Sequence, residues 1–327
     1  MATSTSYIAE TLNRRTSRGF FARLRGGDEI AYAVTLACAV SILLIVGLIV
    51  FELWHNSQAT FKTFGFGFLT SSKWDPNANK YGALPFIYGT CLTAFLGMLI
   101  AVPLGIAAAI FLAEMAPPKL SNFLTFLIEL LAAVPSVIYG LIGIFVLVPA
   151  IKTYLVPPLK SAFGYLPIFE GTFYGLSFLS AGIVLSVMIV PFIISVSREV
   201  LMAVPTEQRE AALALGATKW ETTWDIVLPN AATGIFGSVF LALARALGET
   251  MAVTMVVGNS PKISASLLSP GYSIAAVIAN EFAEANGDLY ISSLIFMALV
   301  LFGLTIVINA VARIFIMTTQ QRGSQAA

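Results

Sequence analysis

Six long runs of apolar residues decide most of what this chain can become. They cover roughly residues 30–53, 84–113, 123–151, 174–196, 233–257 and 291–317, and none holds more than two charged side chains. A helix needs about 20 such residues to cross the hydrocarbon of a bilayer. No water reaches the backbone there, so every N–H and C=O must be satisfied within the segment, and runs of this length achieve that as helices. Composition agrees: 58% of the residues are hydrophobic and 11% are charged, where a soluble domain carries about 25% charged. The expected fold is an all-α polytopic membrane protein with six transmembrane helices. The second and third runs are overlong and contain Pro103, Pro135 and Pro149, so kinks or broken ends are expected in them.

Basic residues set the orientation. If the N-terminus is cytoplasmic, the inner side receives Arg14, Arg15, Arg18, Arg23, Arg25, Lys119, Arg198, Arg209, Lys219, Arg313 and Arg322. The outer side then receives only Lys62, Lys73, Lys80, Lys152, Lys160 and Lys262. Both termini are therefore expected in the cytoplasm. The resulting organisation is a tail over 1–29, a first transmembrane helix over 30–53, an extracytoplasmic loop over 54–85, a membrane core over 86–313 with one long inner loop over 198–230, and a second tail over 314–327. The first run is too long for a signal peptide and reads as a retained helix. Cys38 and Cys91 lie in spans with no ligand cluster beside them, and the single histidine, His55, follows Trp54 at an interface. No disulfide, metal site or cofactor is expected from these residues.

One residue breaks the apolar grammar. Arg245, in Ala244-Arg245-Ala246-Leu247-Gly248-Glu249-Thr250, places a guanidinium inside the fifth run. A permanently charged group at that depth costs several kcal/mol or more unless a counter-charge, water or an anion meets it. Glu249 follows four residues later, on the same face of a continuous helix. Two readings follow: a sealed ion pair, or a cation facing a pathway for an anion with Glu249 holding it in place. Thr250 adds a hydroxyl, which in a membrane helix more often bonds its own backbone. In the third run, Glu129 is either intramembrane or interfacial; the interfacial placement, paired with an inner basic residue, is preferred. Ser136 follows Pro135, where a freed carbonyl invites a hydroxyl bond.

The inner loop has its own order. Pro205-Thr206 suits a helix start, Ala211, Ala212 and Leu215 give a small apolar face, and Gly216 is a left-handed stop. Thr218-Lys219-Trp220-Glu221 is a capping box for a second short helix running towards Leu228-Pro229. The two make a compact knob. In the last outer loop a further short helix is expected over 273–285, with Ile274, Val277, Ile278 and Phe282 on one stripe. It would either lie on the membrane or plug a vestibule.

Glu210-Ala211-Ala212, with Gly216 beyond and Ile226-Val227-Leu228-Pro229 closing the segment, resembles the EAA loop of the membrane subunits of ATP-binding-cassette importers. Further stretches are similar to the permeases of phosphate-specific importers: Trp74-Asp75-Pro76, residues 81–90, 101–105 and 112–114, the segment from Glu129 to Gly140, the Arg245 segment, and residues 278–282. The sister permease of those systems lacks the Trp-Asp-Pro element. The resemblance implies a type I ABC importer permease (MetI-like) core over 86–313, with the first helix packed outside it. It also implies a heterodimer with that second permease subunit, an ATPase dimer on the inner side and a soluble phosphate-binding protein on the outer side. Glu210, Ala211 and Gly216 would form the ATPase-coupling surface, and Arg245, Glu249 and Thr250 the substrate path.

Independently of the resemblance, the chain has no Gly-x-x-x-x-Gly-Lys-Ser/Thr element, so ATP hydrolysis is expected on a separate subunit. A permease for sulfate or molybdate is the nearest alternative, although such chains commonly continue the Arg-Ala-Leu-Gly-Glu segment with Phe-Gly-Ala, whereas Thr250-Met251-Ala252 stands here. An ion-coupled secondary transporter would need inverted repeats, and the sequence shows no convincing repeat. A membrane enzyme is disfavoured by the absence of a His pair, a nucleophile elbow or Cys/His metal spacing.

Overall fold

Helix accounts for nearly all regular structure in the computed structural model, which describes the backbone of residues 28–325 and the side chains of residues 31–314. The tail expected over 1–29 lies, up to residue 27, outside the described residues. Six helical stretches are long and apolar enough to cross a membrane: Ala31–Asn56, Leu84–Met115, Ser136–Phe163, Phe178–Met202, Lys219–Gly248 and Asp288–Ile314. The chain divides at His55 into two units. The first holds helix α1 (Asp28–Asn56), along which Phe51 and His55 stack with ring centroids 6.2 Å apart.

The second unit is built around one central helix. Its elements are α2 (Gln58–Phe64), α3 (Leu84–Ile110, extended by a wide π turn over Phe111–Met115), α4 (Pro118–Ala132), α5 (Ser136–Ile142, continuing with π turns to Phe163), α6 (Phe178–Met202), α7 (Thr206–Ala214), α8 (Leu228–Gly248), α9 (Met251–Val257), α10 (Ile274–Glu281) and α11 (Asp288–Gln325). α6 buries Ala181, Leu185, Ile189 and Ile193. It packs along α3 because glycines open that seam: a Cβ on Gly97 would meet Leu185, one on Gly105 would meet Ile193, and one on Gly182 would meet Leu96. Small residues at a helix contact give dispersion forces short range to act over, the main attraction where lipid is as apolar as leucine.

The prolines behave unequally. Pro103 and Pro191 sit inside unbroken helices, and Pro149 lies between π turns over Gly143–Leu147 and Ile151–Leu155 that carry the helix past it. Pro135 breaks the chain. α4 ends at Ala132, and α5 begins at Ser136, so the third run is two helices rather than one kinked span. The fifth run is also divided. It leaves helix at Glu249 (φ −67°, ψ 122°) and re-enters it at Met251. At its N-terminal end that run starts early: the short helix expected before Leu228-Pro229 is continuous with α8 through a π turn over Thr222–Val227, which widens the coil ahead of Pro229.

The end of the bundle that carries the 65–83 loop is covered by a cluster of aromatic side chains. Asp75 caps a 3-10 turn over Pro76–Ala78 by accepting from the Asn77 and Ala78 amides at 3.1 and 3.3 Å. Asp75 also pairs its backbone with Lys80. That tight loop aims Trp74 inward, edge-on to Tyr81 and Phe86 at 5.1 and 4.9 Å. The Trp74 Nε1 donates to Glu281 Oε2 at 2.9 Å, and the Tyr290 hydroxyl donates to the same oxygen at 2.6 Å. α10 is therefore packed into protein rather than lying on a surface: Ile274 and Val277 are buried as expected, while Phe282 is 50% exposed and off the stripe. The Ile274 amide donates to Thr90 Oγ1 at 2.9 Å.

Candidate functional site

The two interruptions lie side by side. A Cβ on Gly140 of α5 would stand 3.2 Å from the Ala252 Cα of α9, and one on Gly143 would stand 2.9 Å from Val256 Cγ1. Both pairs advance together, so α5 and α9 run parallel. Gly140 is the fifth residue of α5 and Ala252 the second of α9, so the breaks that precede these helices lie within about one turn of each other along the pair.

Chemistry explains each break. Pro135 has no N–H to give the Leu131 carbonyl four residues earlier. The Tyr139 hydroxyl donates to that oxygen at 2.7 Å instead, beside the Val134 amide at 3.1 Å. The freed carbonyl is thus filled from the next turn by tyrosine, and Ser136 is not the residue that fills it. At the second break Glu249 is extended, and its Oε1 accepts the Ala252 amide at 3.2 Å, satisfying a donor at the start of α9. The Thr250 hydroxyl donates to the Gly248 carbonyl at 3.3 Å and the Thr254 hydroxyl to the Thr250 carbonyl at 2.6 Å.

This changes the relation between Arg245 and Glu249. Four-residue spacing places side chains on one face only while the helix continues, and here it stops at Gly248. Glu249 serves α9, and no ion pair joins it to Arg245 among the described residues. Arg245 sits one turn before the break, half-buried, with its guanidinium carbon 5.5 Å from the centre of the Phe192 ring of α6. An aromatic face attracts a cation by its quadrupole and leaves the N–H donors free. What the site can do is present a permanent cation with open hydrogen-bonding capacity beside two adjacent helix breaks.

Glu129 does not have the inner basic partner expected for it. It is exposed on α4, and Arg198 of the facing α6 donates instead to Ser121 Oγ at 3.3 Å.

The loop over 198–230 folds as its residues dictate. α7 ends in a Schellman motif: the Gly216 amide donates to the Leu213 carbonyl at 3.0 Å, the Ala217 amide to Ala212 at 3.1 Å, and Gly216 has φ +93°. The capping box is complete, with the Glu221 amide donating to Thr218 Oγ1 at 3.3 Å and the Thr218 amide to Glu221 Oε2 at 2.7 Å. Glu210, Ala211 and Gly216 are all exposed. A groove of about 750 Å³ beside them is lined by Gln208, Ala211, Ala212, Gly216, Asp225 and Asn230 among others. One contact of this loop lies beyond any local pattern: Arg209 pairs with Glu114 at 2.9 Å, 95 residues away. No local spacing announces that contact.

Apolar spanning helices with an exposed, glycine-tipped loop define a polytopic membrane protein. The chain belongs to a transport family: residues 101–318 match the family described as binding-protein-dependent transport system inner membrane component. It is thus a multi-pass inner-membrane subunit of an ATP-binding-cassette importer, a transport component rather than an enzyme, and works with an ATPase and further subunits. Among curated proteins it is 46% identical to "Phosphate transport system permease protein PstC" of Mesorhizobium japonicum, over 90% of this chain and 91% of the relative. It is 42% identical to the PstC of Pasteurella multocida over 97% of this chain and 94% of that one. It is 34% identical to a protein named probable PstC in Methanocaldococcus jannaschii, over 88% and 93% respectively. The crystal structure of a bacterial ABC transporter involved in the import of alginate includes a chain that shares the fold, at TM-score 0.52 and 18% identity, across 90% of this chain and 99% of that one.

Proposed function

We propose that this chain is the transmembrane permease subunit of an ATP-driven importer that moves inorganic phosphate across the cytoplasmic membrane by alternating access. The observation that carries it is Arg245: a half-buried cation one turn from paired helix breaks, in a chain 42–46% identical to curated PstC permeases. Phosphate is a mono- or dianion at neutral pH and must exchange its hydration for protein donors. A guanidinium offers a planar fork that binds two of its oxygens at once, stronger and more directional than an ammonium.

In this reading Arg245 meets the ion, Glu249 fixes the backbone of the break by capping α9 and its carboxylate weakens anion binding enough for release, and Thr250 lends a hydroxyl. Glu210, Ala211 and Gly216 form the surface that an ATPase subunit grips. The core spans 86–313, and both termini are cytoplasmic. The finer partners are a PstA-like second permease, a PstB-like ATPase dimer and a PstS-like phosphate-binding protein on the outer side. ATP closing the ATPase dimer pushes the knob, and the helices around Arg245 tilt to open the site outward; release of the hydrolysis products reverses the tilt.

The test is substrate-stimulated ATP hydrolysis by the reconstituted complex, with phosphate and with sulfate. Stimulation by phosphate is expected, and stimulation by sulfate alone ends the phosphate reading in favour of another oxyanion. Transport that persists without any ATPase subunit would end the importer reading itself.

A further inference from the structure

α7 carries the surface proposed to meet the ATPase, yet none of its side chains is buried. Thr206, Glu207, Gln208 and Glu210 make no side-chain hydrogen bond or ion pair among the described residues. Arg209 is the exception. Its Nε donates to Glu114 Oε2 at 3.3 Å and its Nη2 to Glu114 Oε1 at 2.9 Å, a fork-on-fork pair. Nη2 also donates to the Leu201 carbonyl at 2.7 Å, and Nη1 to the Val204 carbonyl. Glu114 lies in the π turn that ends the α3 span, Leu201 in the last turn of α6, and Val204 two residues past the end of that helix. One guanidinium therefore ties three elements together, with the two side chains 18% and 11% exposed.

We infer that Arg209 is the strut through which a push on α7 reaches the membrane helices, the Arg209–Glu114 pair holding α7, α3 and the end of α6 as one body. An amphipathic helix normally transmits force through a buried apolar face, and α7 has none. A bidentate pair substitutes because it fixes both distance and angle, which a single hydrogen bond does not. The carbonyls at the end of α6 carry the negative pole of that helix and add to the attraction. Lysine cannot reproduce the arrangement: it has no planar fork, so it cannot hold both carboxylate oxygens and two carbonyls in one geometry. Arg209 in this role touches neither the transported ion nor ATP; it is a positioning residue.

The inference rests on the reading of α7 as the coupling surface, so the experiment separates the two. In the reconstituted complex, Leu215→Cys supplies a reporter at the end of α7, where Leu215 is 91% exposed. Three quantities are read: the crosslink from that cysteine to the ATPase subunit, basal ATP hydrolysis, and phosphate moved per ATP. For Arg209→Lys and Glu114→Gln the crosslink and basal hydrolysis are expected to persist, while phosphate per ATP falls about tenfold, the middle of the usual range for coupling between sites. A parental ratio of phosphate to ATP in either single variant overturns the strut alone. No crosslink in the otherwise unaltered protein overturns the coupling reading and the strut with it. Should the single variants fail to assemble, spin labels at Leu215 and Phe111, both exposed, decide in the otherwise unaltered complex. A separation that is the same with and without ATP supports one rigid body, and a nucleotide-dependent change overturns it.

Discussion

Gly140 of α5 stands so close to Ala252 of α9 that a Cβ added at 140 would lie 3.2 Å from the alanine Cα and closer still to the Met255 sulfur. That contact, backbone against backbone, aligns the break at Pro135 with the break at Glu249 and so sets where Arg245 stands. A leucine at 140 is expected to prise the two half-helices apart. The overpacking penalty is about 1–3 kcal/mol, and it should be seen as a lowered melting temperature of the purified complex together with loss of phosphate uptake. Full uptake at unchanged stability would mean that the alignment is not needed.

Arg245→Gln removes the cation and keeps the shape. Charge-assisted hydrogen bonds contribute about 1.5–3 kcal/mol each, so phosphate uptake is expected to fall by roughly tenfold to a hundredfold or more while the protein still assembles, since the guanidinium is held by the Phe192 ring and by no carboxylate. Arg245→Lys should recover only part of that. Uptake kinetics in vesicles, with assembly checked by co-purification, decide it; normal kinetics for the glutamine variant would remove Arg245 from the path.

Glu249 separates its two duties by substitution. Glutamine keeps an oxygen to accept the Ala252 amide and is expected to give an assembled, slower transporter. Alanine also loses the cap, worth about 1 kcal/mol, and should lower the melting temperature as well. Equal flux in the glutamine variant and the parent would limit the residue to capping.

Gly216 has φ +93° in open space, with nothing within 4 Å of an added Cβ. The requirement there is for backbone conformation alone. Proline, fixed near φ −65° and without the N–H that now reaches Leu213, cannot form the turn. Gly216→Pro is expected to detach or uncouple the ATPase, read as lost co-purification or as hydrolysis without transport.

The aromatic cluster predicts a response to alkali. Burial, reinforced by Asp75 and Glu281, raises the Tyr81 phenol above its ordinary value of 10.0, and burial is the chief cause of a larger rise at Tyr272. A phenol whose folded pKa is raised favours the neutral form in the folded state. Its contribution is complete below the unfolded value and is lost as pH climbs above it. Thermal melts of the complex are expected to fall from pH 10 upward. Tyr272→Phe, which strips the Asn280 amide of its acceptor, should flatten part of that slope while lowering stability at neutral pH by about 1 kcal/mol.

Much of this was legible in the chain. Length and apolarity give six spans because lipid leaves the backbone no other partner, and Pro205, Gly216 and the Thr218-Glu221 box give the knob because caps and left-handed glycines act over four or five residues. Arg245 announces itself as the one permanent cation of its apolar run. Local spacing misleads where a second element intervenes. The face shared by Arg245 and Glu249 presumed an unbroken helix, and the partner of the carbonyl freed by Pro135 proved to be Tyr139 rather than the adjacent Ser136.

Sequence by itself therefore determined the membrane-spanning class, the knob, and the one cation in the fifth run, since each follows from chemistry within a turn or two of the backbone. Tertiary structure alone decided that two helices break within about a turn of one another, that Glu249 caps α9 instead of pairing with Arg245, and that Arg209 finds Glu114. Those outcomes depend on glycine-permitted approach between distant segments and on donors left over after local bonding, and neither is written in the spacing of neighbouring residues.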